Sequence, residues 1–137
     1  MGLFDVFAVS GSGVALNRVW MDAISDNIAN ANTVRRTSED AFQARYVVAE
    51  SADGFAAGDP DGVRVAGIAL GSAEGRMTYE PDNPLADAEG YVRRPDIDLG
   101  DQMTQLIIAQ RGYQANLAVV ERATAAYQTA LQIGRSQ

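Results

Sequence analysis

Residues 99–133, Leu99-Gly-Asp-Gln-Met103-Thr-Gln-Leu106-Ile-Ile-Ala-Gln-Arg-Gly-Tyr113-Gln-Ala-Asn-Leu117-Ala-Val-Val120-Glu-Arg-Ala-Thr-Ala-Ala-Tyr127-Gln-Thr-Ala-Leu131-Gln-Ile133, contain no proline. Leu99, Leu106, Tyr113, Val120 and Tyr127 recur every seven residues, and Met103, Leu117 and Leu131 occupy a second seam position. That spacing predicts one long helix with an apolar stripe. Asp98, just after Pro95, is placed to cap its start, and Gly134 is placed to stop it. At about 1.5 Å per residue such a helix is roughly 50 Å long. Gln110 and Thr124 put polar groups on seam positions, where they would fix register or partner choice.

The N-terminal segment repeats the pattern. Phe7, Val14, Met21 and Ile28 share the seven-residue period, Ile24 and Ala31 fill the second seam position, and Val9, Leu16, Trp20 and Ala23 form a neighbouring stripe. This predicts a helix from about residue 4 to about residue 31. Ser10-Gly11-Ser12-Gly13 interrupts it with glycines that each cost about 1 kcal/mol against alanine in a helix interior, so a bend or a close helix contact is expected there. Two such helices predict a coiled-coil-like hairpin with the stripes facing each other. Ile107, Ile108, Val119, Ala125, Ala126 and Ile133 lie outside that seam, a surplus that calls for more than one neighbour.

All four prolines fall between residues 60 and 95. Phe42–Val48, Val63–Leu70, Arg76–Tyr79 and Gly90–Val92 read as strands, while Asp53-Gly54, Gly58–Gly62 and Pro81–Pro84 read as turns. The fold class is therefore α+β, divided into a first helix and loop (1–36), a β-rich insert (37–98) and a last helix (99–137). Charge follows the same division: net 0, −8 and +1 for the three segments, which sum to the overall −7. The insert carries the solubility and the ends are nearly neutral.

The composition closes most routes to catalysis. With no Cys, His or Lys, the chain lacks a thiol, the usual general base and commonest metal ligand, and any Schiff-base amine. Asp59, Asp61 and Gly62 only faintly resemble a calcium loop, with Pro60 inside it, and a hairpin turn accounts for them better. Asp82, Asp87 and Glu89 are read as ordinary acids of an acidic loop rather than a catalytic pair. Arg35-Arg36 and Arg93-Arg94 are read as solvated or paired charges, so neither nucleic acid nor a small-molecule substrate is expected, and no cofactor or metal. No stretch is apolar enough to span a bilayer and no cleaved signal is expected.

Ser25-Asp-Asn27-Ile-Ala-Asn30-Ala-Asn32-Thr33 is the least helix-like part of the first helix, because asparagine amides compete for the backbone. Asn32 is expected in a left-handed C-terminal conformation. Asn27 and Asn30 share a face, and either bond a neighbouring helix or loop or belong to a frayed end.

Here the chain resembles the flagellar axial proteins, the family of rod, hook and hook-associated subunits. Ser10-Gly11 and Asn27-Ile-Ala-Asn30-Ala-Asn32-Thr33 look like its N-terminal signature, and Leu3-Phe4-Asp5-Val-Phe7 with Arg18, Met21 and Ser25 is similar to its short proximal-rod members. Gly62–Ile68, Tyr79–Pro84, Asp87–Val92 and Pro95–Asp98 resemble their middle section. Ile108-Ala-Gln-Arg-Gly-Tyr113-Gln-Ala-Asn116 and Ala130-Leu-Gln-Ile-Gly134-Arg135 resemble their last helix. The resemblance implies a non-enzymatic subunit that leaves the cell through the flagellar type III export apparatus and stacks helically with copies of itself. Its implied partners are the other proximal and distal rod subunits and the rod adaptor or MS-ring, in a torque-transmitting rod that crosses the periplasm. The candidate assembly interface is then Phe7, Val14, Met21, Ile24 and Ile28 with Asn27, Asn30 and Asn32 on the first helix. On the second it is Met103, Leu106, Tyr113, Asn116, Leu117, Val120, Tyr127, Leu131 and Ile133. Residues 34–41 depart from the family's usual Gly/Pro-containing turn, Asn83 stands where His is common, and Gly112 replaces the usual Ala and is expected to loosen the helix. The rival readings are another short axial subunit, of the B type, and a secreted helical-hairpin binding module.

Overall fold

A computed structural model describes residues 2–52 and 62–135. Helix α1 spans Leu3–Asn30 and helix α2 spans Leu99–Arg135, with strands β1 (Arg45–Ala52), β2 (Gly62–Leu70), β3 (Arg76–Tyr79) and β4 (Tyr91–Arg94) between them. The α+β class follows. The helix starts are locally encoded: the Asp5 carboxylate accepts the Gly2 N–H, and Asp98 Oδ1 accepts the Asp101 N–H at 3.0 Å. Two expectations about helix ends need correction. Gly134 does not stop α2, which runs on to Arg135. Asn32 is not left-handed, since no described residue other than glycine has a positive φ. The turn closes instead with Ala31 in right-handed geometry and the Thr33 N–H on the Asn30 carbonyl at 3.0 Å, so no left-handed residue is needed.

The helices pack antiparallel. Gly13 lies against Asn116, Gly112 against Asn17, and Asn27 against Gln102. Ser10-Gly11-Ser12-Gly13 does not break α1; it is the close contact, because the space a Gly13 side chain would need is already filled by Asn116. Gly112 likewise accommodates Asn17, so it serves packing and is not merely a weak point in the helix.

The seam is correspondingly different from the predicted one. On α2 the buried positions are Gln102, Ala109 and Ala123, with Asn116 half-buried between them, a heptad of small and polar residues. Leu106, Tyr113 and Val120 are half-buried at its flank, whereas Leu99, Met103, Leu117, Tyr127 and Leu131 are exposed. On α1 the buried set is Ser10, Gly13, Ala23, Ile24, Asn27 and Ala31, leaving Phe7, Val14, Met21 and Ile28 half-buried. The physical reason is distance. Where Gly13 and Gly112 bring the backbones together there is no room for large side chains, so small residues take the inside there, while Ile24 is enclosed further along α1.

β1 and β2 form an antiparallel hairpin with an irregularity between Val48 and Ala49, and β3 pairs antiparallel with β4. Residues 53–61, which hold the expected turn at Asp53-Gly54 and most of the expected Gly58–Gly62 turn and faint calcium loop, lie outside the described residues, and Gly62 opens β2 opposite Ala52. β1 begins at Arg45, three residues later than the expected Phe42. Phe42 is used otherwise, packing on the cluster of Ala31, Ala44 and Ile97. The Val9-Leu16-Trp20-Ala23 stripe has a partner in the hairpin: Leu16 and Trp20 share a cleft of about 190 Å³ with Val47 and Ala49. Residues 34–41 are held as well. The Arg35 and Arg93 backbones exchange hydrogen bonds of 2.9 Å, and the Ala41 N–H donates to the Ala73 carbonyl at 2.8 Å. Gly75, at φ 60°, is obligatory here, because a side chain would stand 2.2 Å from the Arg94 carbonyl.

Candidate functional site

Large apolar residues on α2 face solvent along its whole length. Met103 is 55% exposed, Ile107 58% and Ile108 54%, with Leu117 and Val119 also exposed. Every described side chain from Thr124 to Gly134 is exposed, including Tyr127, Leu131 and Ile133. The antiparallel pairing explains this. With Gly13 beside Asn116, α1 reaches its first turn near Ala123, and the last turns of α2 project beyond it. On α1, Phe4 is 76% exposed. Among the described residues the buried apolar set is by contrast mostly alanine, with Ile24, Val92, Pro95 and Ile97 larger. A subunit that encloses its small side chains and displays its large ones has the inverse of the usual partition.

The asparagine cluster does not fray. Asn27 is 1% exposed and its amide bonds twice to one residue: Nδ2 donates to the Arg45 carbonyl at 2.9 Å and Oδ1 accepts the Arg45 N–H at 2.7 Å. That is the exchange a neighbouring strand residue would make, so the helix side chain supplies the first rung of β1. Nδ2 also donates to Gln102 Oε1 at 3.0 Å, which ties α2 into the same node. Asp26 adds an ion pair to the Arg45 guanidinium, both groups about half exposed. Asn30, though on the same face, turns back on its own helix: Nδ2 donates to the Asp26 carbonyl, and Oδ1 accepts the Thr33 hydroxyl. Asn32 is exposed. The sequence reading did not single out Gln102 or Asn17; a polar heptad through Gln102 and Asn116 was the available signal, masked by the larger apolar residues beside it.

The acidic loop organises itself. The Tyr91 N–H, donating to Asp87 Oδ1 at 2.8 Å, is the main influence holding this carboxyl below its ordinary range, with the Thr37 hydroxyl adding to it. Glu80 is lowered first by the Asn83 amide and then by Arg94, whose guanidinium lies 2.7 Å away. Both carboxylates are acceptors that shape the β3–β4 connection, and Asn83 is satisfied within it through Glu80 and the Leu85 N–H. Asp87 therefore acts as a turn-forming side chain.

Residues 7–35 match the family of flagella basal body rod proteins, and residues 88–133 match the family of the C-terminal region of flagellar basal body rod FlgEFG proteins. The flagellar basal-body rod protein FlgC of Salmonella typhimurium is 37% identical, over 88% of this chain and 89% of the relative. The chain belongs to the FlgC family of flagellar basal-body rod proteins. FlgC of Borreliella burgdorferi is 30% identical, over 97% of this chain and 98% of the relative, and that of Bacillus subtilis is 29% identical, over 98% and 100%. The two family matches fall on α1 with its following turn and on β4 with α2, and so include most of both helices of the pair. As a FlgC-family member the chain is a structural subunit of the flagellar basal-body rod, and no enzyme family is indicated.

Proposed function

We propose that the chain is a proximal-rod subunit that assembles with copies of itself and with the other axial proteins through the faces its own fold leaves open. It works as part of a shaft that crosses the periplasm and carries torque, and it performs no chemistry. It reaches that position through the flagellar type III export apparatus. One observation carries the assembly reading: Met103, Ile107 and Leu117 on one flank of α2, Ile108 on the other, and Tyr127 and Leu131 beyond the end of α1, are exposed in the subunit. Covering each such side chain contributes roughly 1.5–3 kcal/mol of apolar transfer. Phe7, Val14, Met21 and Ile28, half-buried in the subunit, complete the proposed interface on α1. The helix pair, the proposed assembly unit, acts as a coiled-coil-like wall element, and the acidic insert 37–98 keeps the free subunit soluble.

The test is the double variant Ile107→Asp/Ile108→Asp, expressed in a strain lacking the natural subunit. Both residues are more than half exposed, so the subunit is expected to fold and be exported while no rod forms. Normal rods and swimming would overturn the assembly reading and favour a hairpin module that binds elsewhere.

A further inference from the structure

The seam between α1 and α2 holds one short pattern twice. Gly13-Val-Ala-Leu-Asn17 lies on α1 and Gly112-Tyr-Gln-Ala-Asn116 on α2, each a glycine followed four residues later by asparagine. In each, the asparagine Nδ2 donates back to its own glycine's carbonyl, at 2.7 Å in α1 and 2.9 Å in α2. Each asparagine also covers the other helix's glycine. A Cβ on Gly13 would stand 2.8 Å from Asn116 Cγ, and a Cβ on Gly112 would stand 2.6 Å from Asn17 Oδ1. The back-bond holds each amide flat against its own helix, in the orientation that fills the gap opposite.

We propose that this reciprocal glycine–asparagine clasp selects both the face of α2 that α1 docks on and the register in which it docks. Hydrophobic transfer alone favours rolling α1 towards the flank of α2 that carries Met103 and Leu117, exposed apolar side chains larger than Ala109 and Ala123. The clasp discriminates by shape. Sliding by one heptad would move Asn116 from Gly13 onto Val6 or Trp20, where there is no missing side chain to receive it. It would also carry Asn27 away from Gln102, leaving a buried amide short of its partner. By taking the small face for the intramolecular contact, the clasp leaves the large apolar side chains on the flanks of α2 to neighbours. That consequence rests on the assembly reading, whereas the clasp itself does not.

Both arms of the test use the full chain as a monomer, before any rod is made. Gly11 and Gly13 sit two residues apart in α1, yet a Cβ on Gly11 meets nothing within 4 Å. Gly11→Ala is expected to raise the thermal midpoint, as helix propensity dictates. Gly13→Ala and Gly112→Ala are expected to lower it by about 3–6 °C. Adding Asn116→Ala to the former, or Asn17→Ala to the latter, should restore it. A higher midpoint for either single variant, or a loss the paired substitution does not repair, overturns the clasp. For register, Asp22→Cys and Arg122→Cys place spin labels on two exposed positions of a chain with no native cysteine, offset roughly 22 Å along the pair so that a slide reads out as distance. Removing both asparagines (Asn17→Ala/Asn116→Ala) is expected to split the label separation into populations about 10 Å apart, one heptad of rise. A single unchanged separation overturns the register role. Loss of rods with both monomer arms as expected would bear on assembly alone.

Discussion

Asn27 shows how one side chain can do the work of an element. Its amide meets Arg45 as a strand would and meets Gln102 as a seam residue would, so α1, α2 and β1 converge on a single buried group. Asn27→Leu keeps the helix but leaves the Arg45 N–H and carbonyl and the Gln102 amide short of partners. The monomer is expected to lose about 1–3 kcal/mol in urea unfolding. Asn30→Leu, whose amide only returns to its own helix, should lose less. The two carboxylates of the β3–β4 connection give a second expectation. Asp87 and Glu80 have folded pKa values below their unfolded ones, so their stabilisation is fully present above the ordinary carboxylate range near about 4 and fades as pH falls through the depressed folded values. Thermal melts of the full chain should therefore weaken towards pH 3, and Asp87→Asn should weaken the chain at pH 7 while flattening that dependence. An Asp87→Asn profile parallel to the unsubstituted one would count against the role given to its carboxylate.

The elements were legible to different depths, and the reason is the range of the forces that set them. Two long helices, β2 and β3 followed from local pattern: no proline at the ends, Asp98 as a cap, alternation in Val63–Leu70. β1 was misplaced by three residues because Phe42, a good strand former, is claimed by Ala31 and Ile97 from elsewhere in the chain. The seam was misread for a related reason. A heptad of Met, Leu and Tyr signals burial somewhere, but the sequence does not say against what, and here Gly13, Asn17, Gly112 and Asn116 take the intramolecular contact. Among the candidate interface residues, Asn27 is spent inside the subunit, while Met103, Leu117, Tyr127 and Leu131 face outward as an assembly surface requires. Helix α2 should accordingly behave as two parts in the free subunit. Amides from Gln102 to Ala123, against α1, are expected to exchange slowly with deuterium, and those from Thr124 onward to exchange fast, because an unpacked helix end is marginal alone. Uniform protection to Gly134 in a verified monomer would contradict this.

At the scale of the whole molecule the division is geometric: the helix pair closes on itself largely with small residues, and the end of α2 overhangs it, exposed. Removing residues 127–137 isolates that end. The seam survives the cut, since its last buried residue, Ala123, is retained, and β1–β4 lie far from it in the chain. The truncated monomer is therefore expected to melt close to the full-length one. Assembly is expected to fail, because Tyr127, Leu131 and Ile133 go with the tail, each worth roughly 1.5–3 kcal/mol of apolar transfer when covered. Ordering the helix end offsets part of that gain in the intact protein. In a lone hairpin such a cut would matter little. In a helical stack every subunit loses the same contact to the next, so the deficit repeats at each interface along the shaft. The measurement is basal-body electron microscopy and swimming in a strain carrying only the truncated subunit, alongside monomer melts. An intact monomer with no rod is the expected pairing, and a truncated strain that builds rods and swims normally would show that the end of α2 is not an assembly surface.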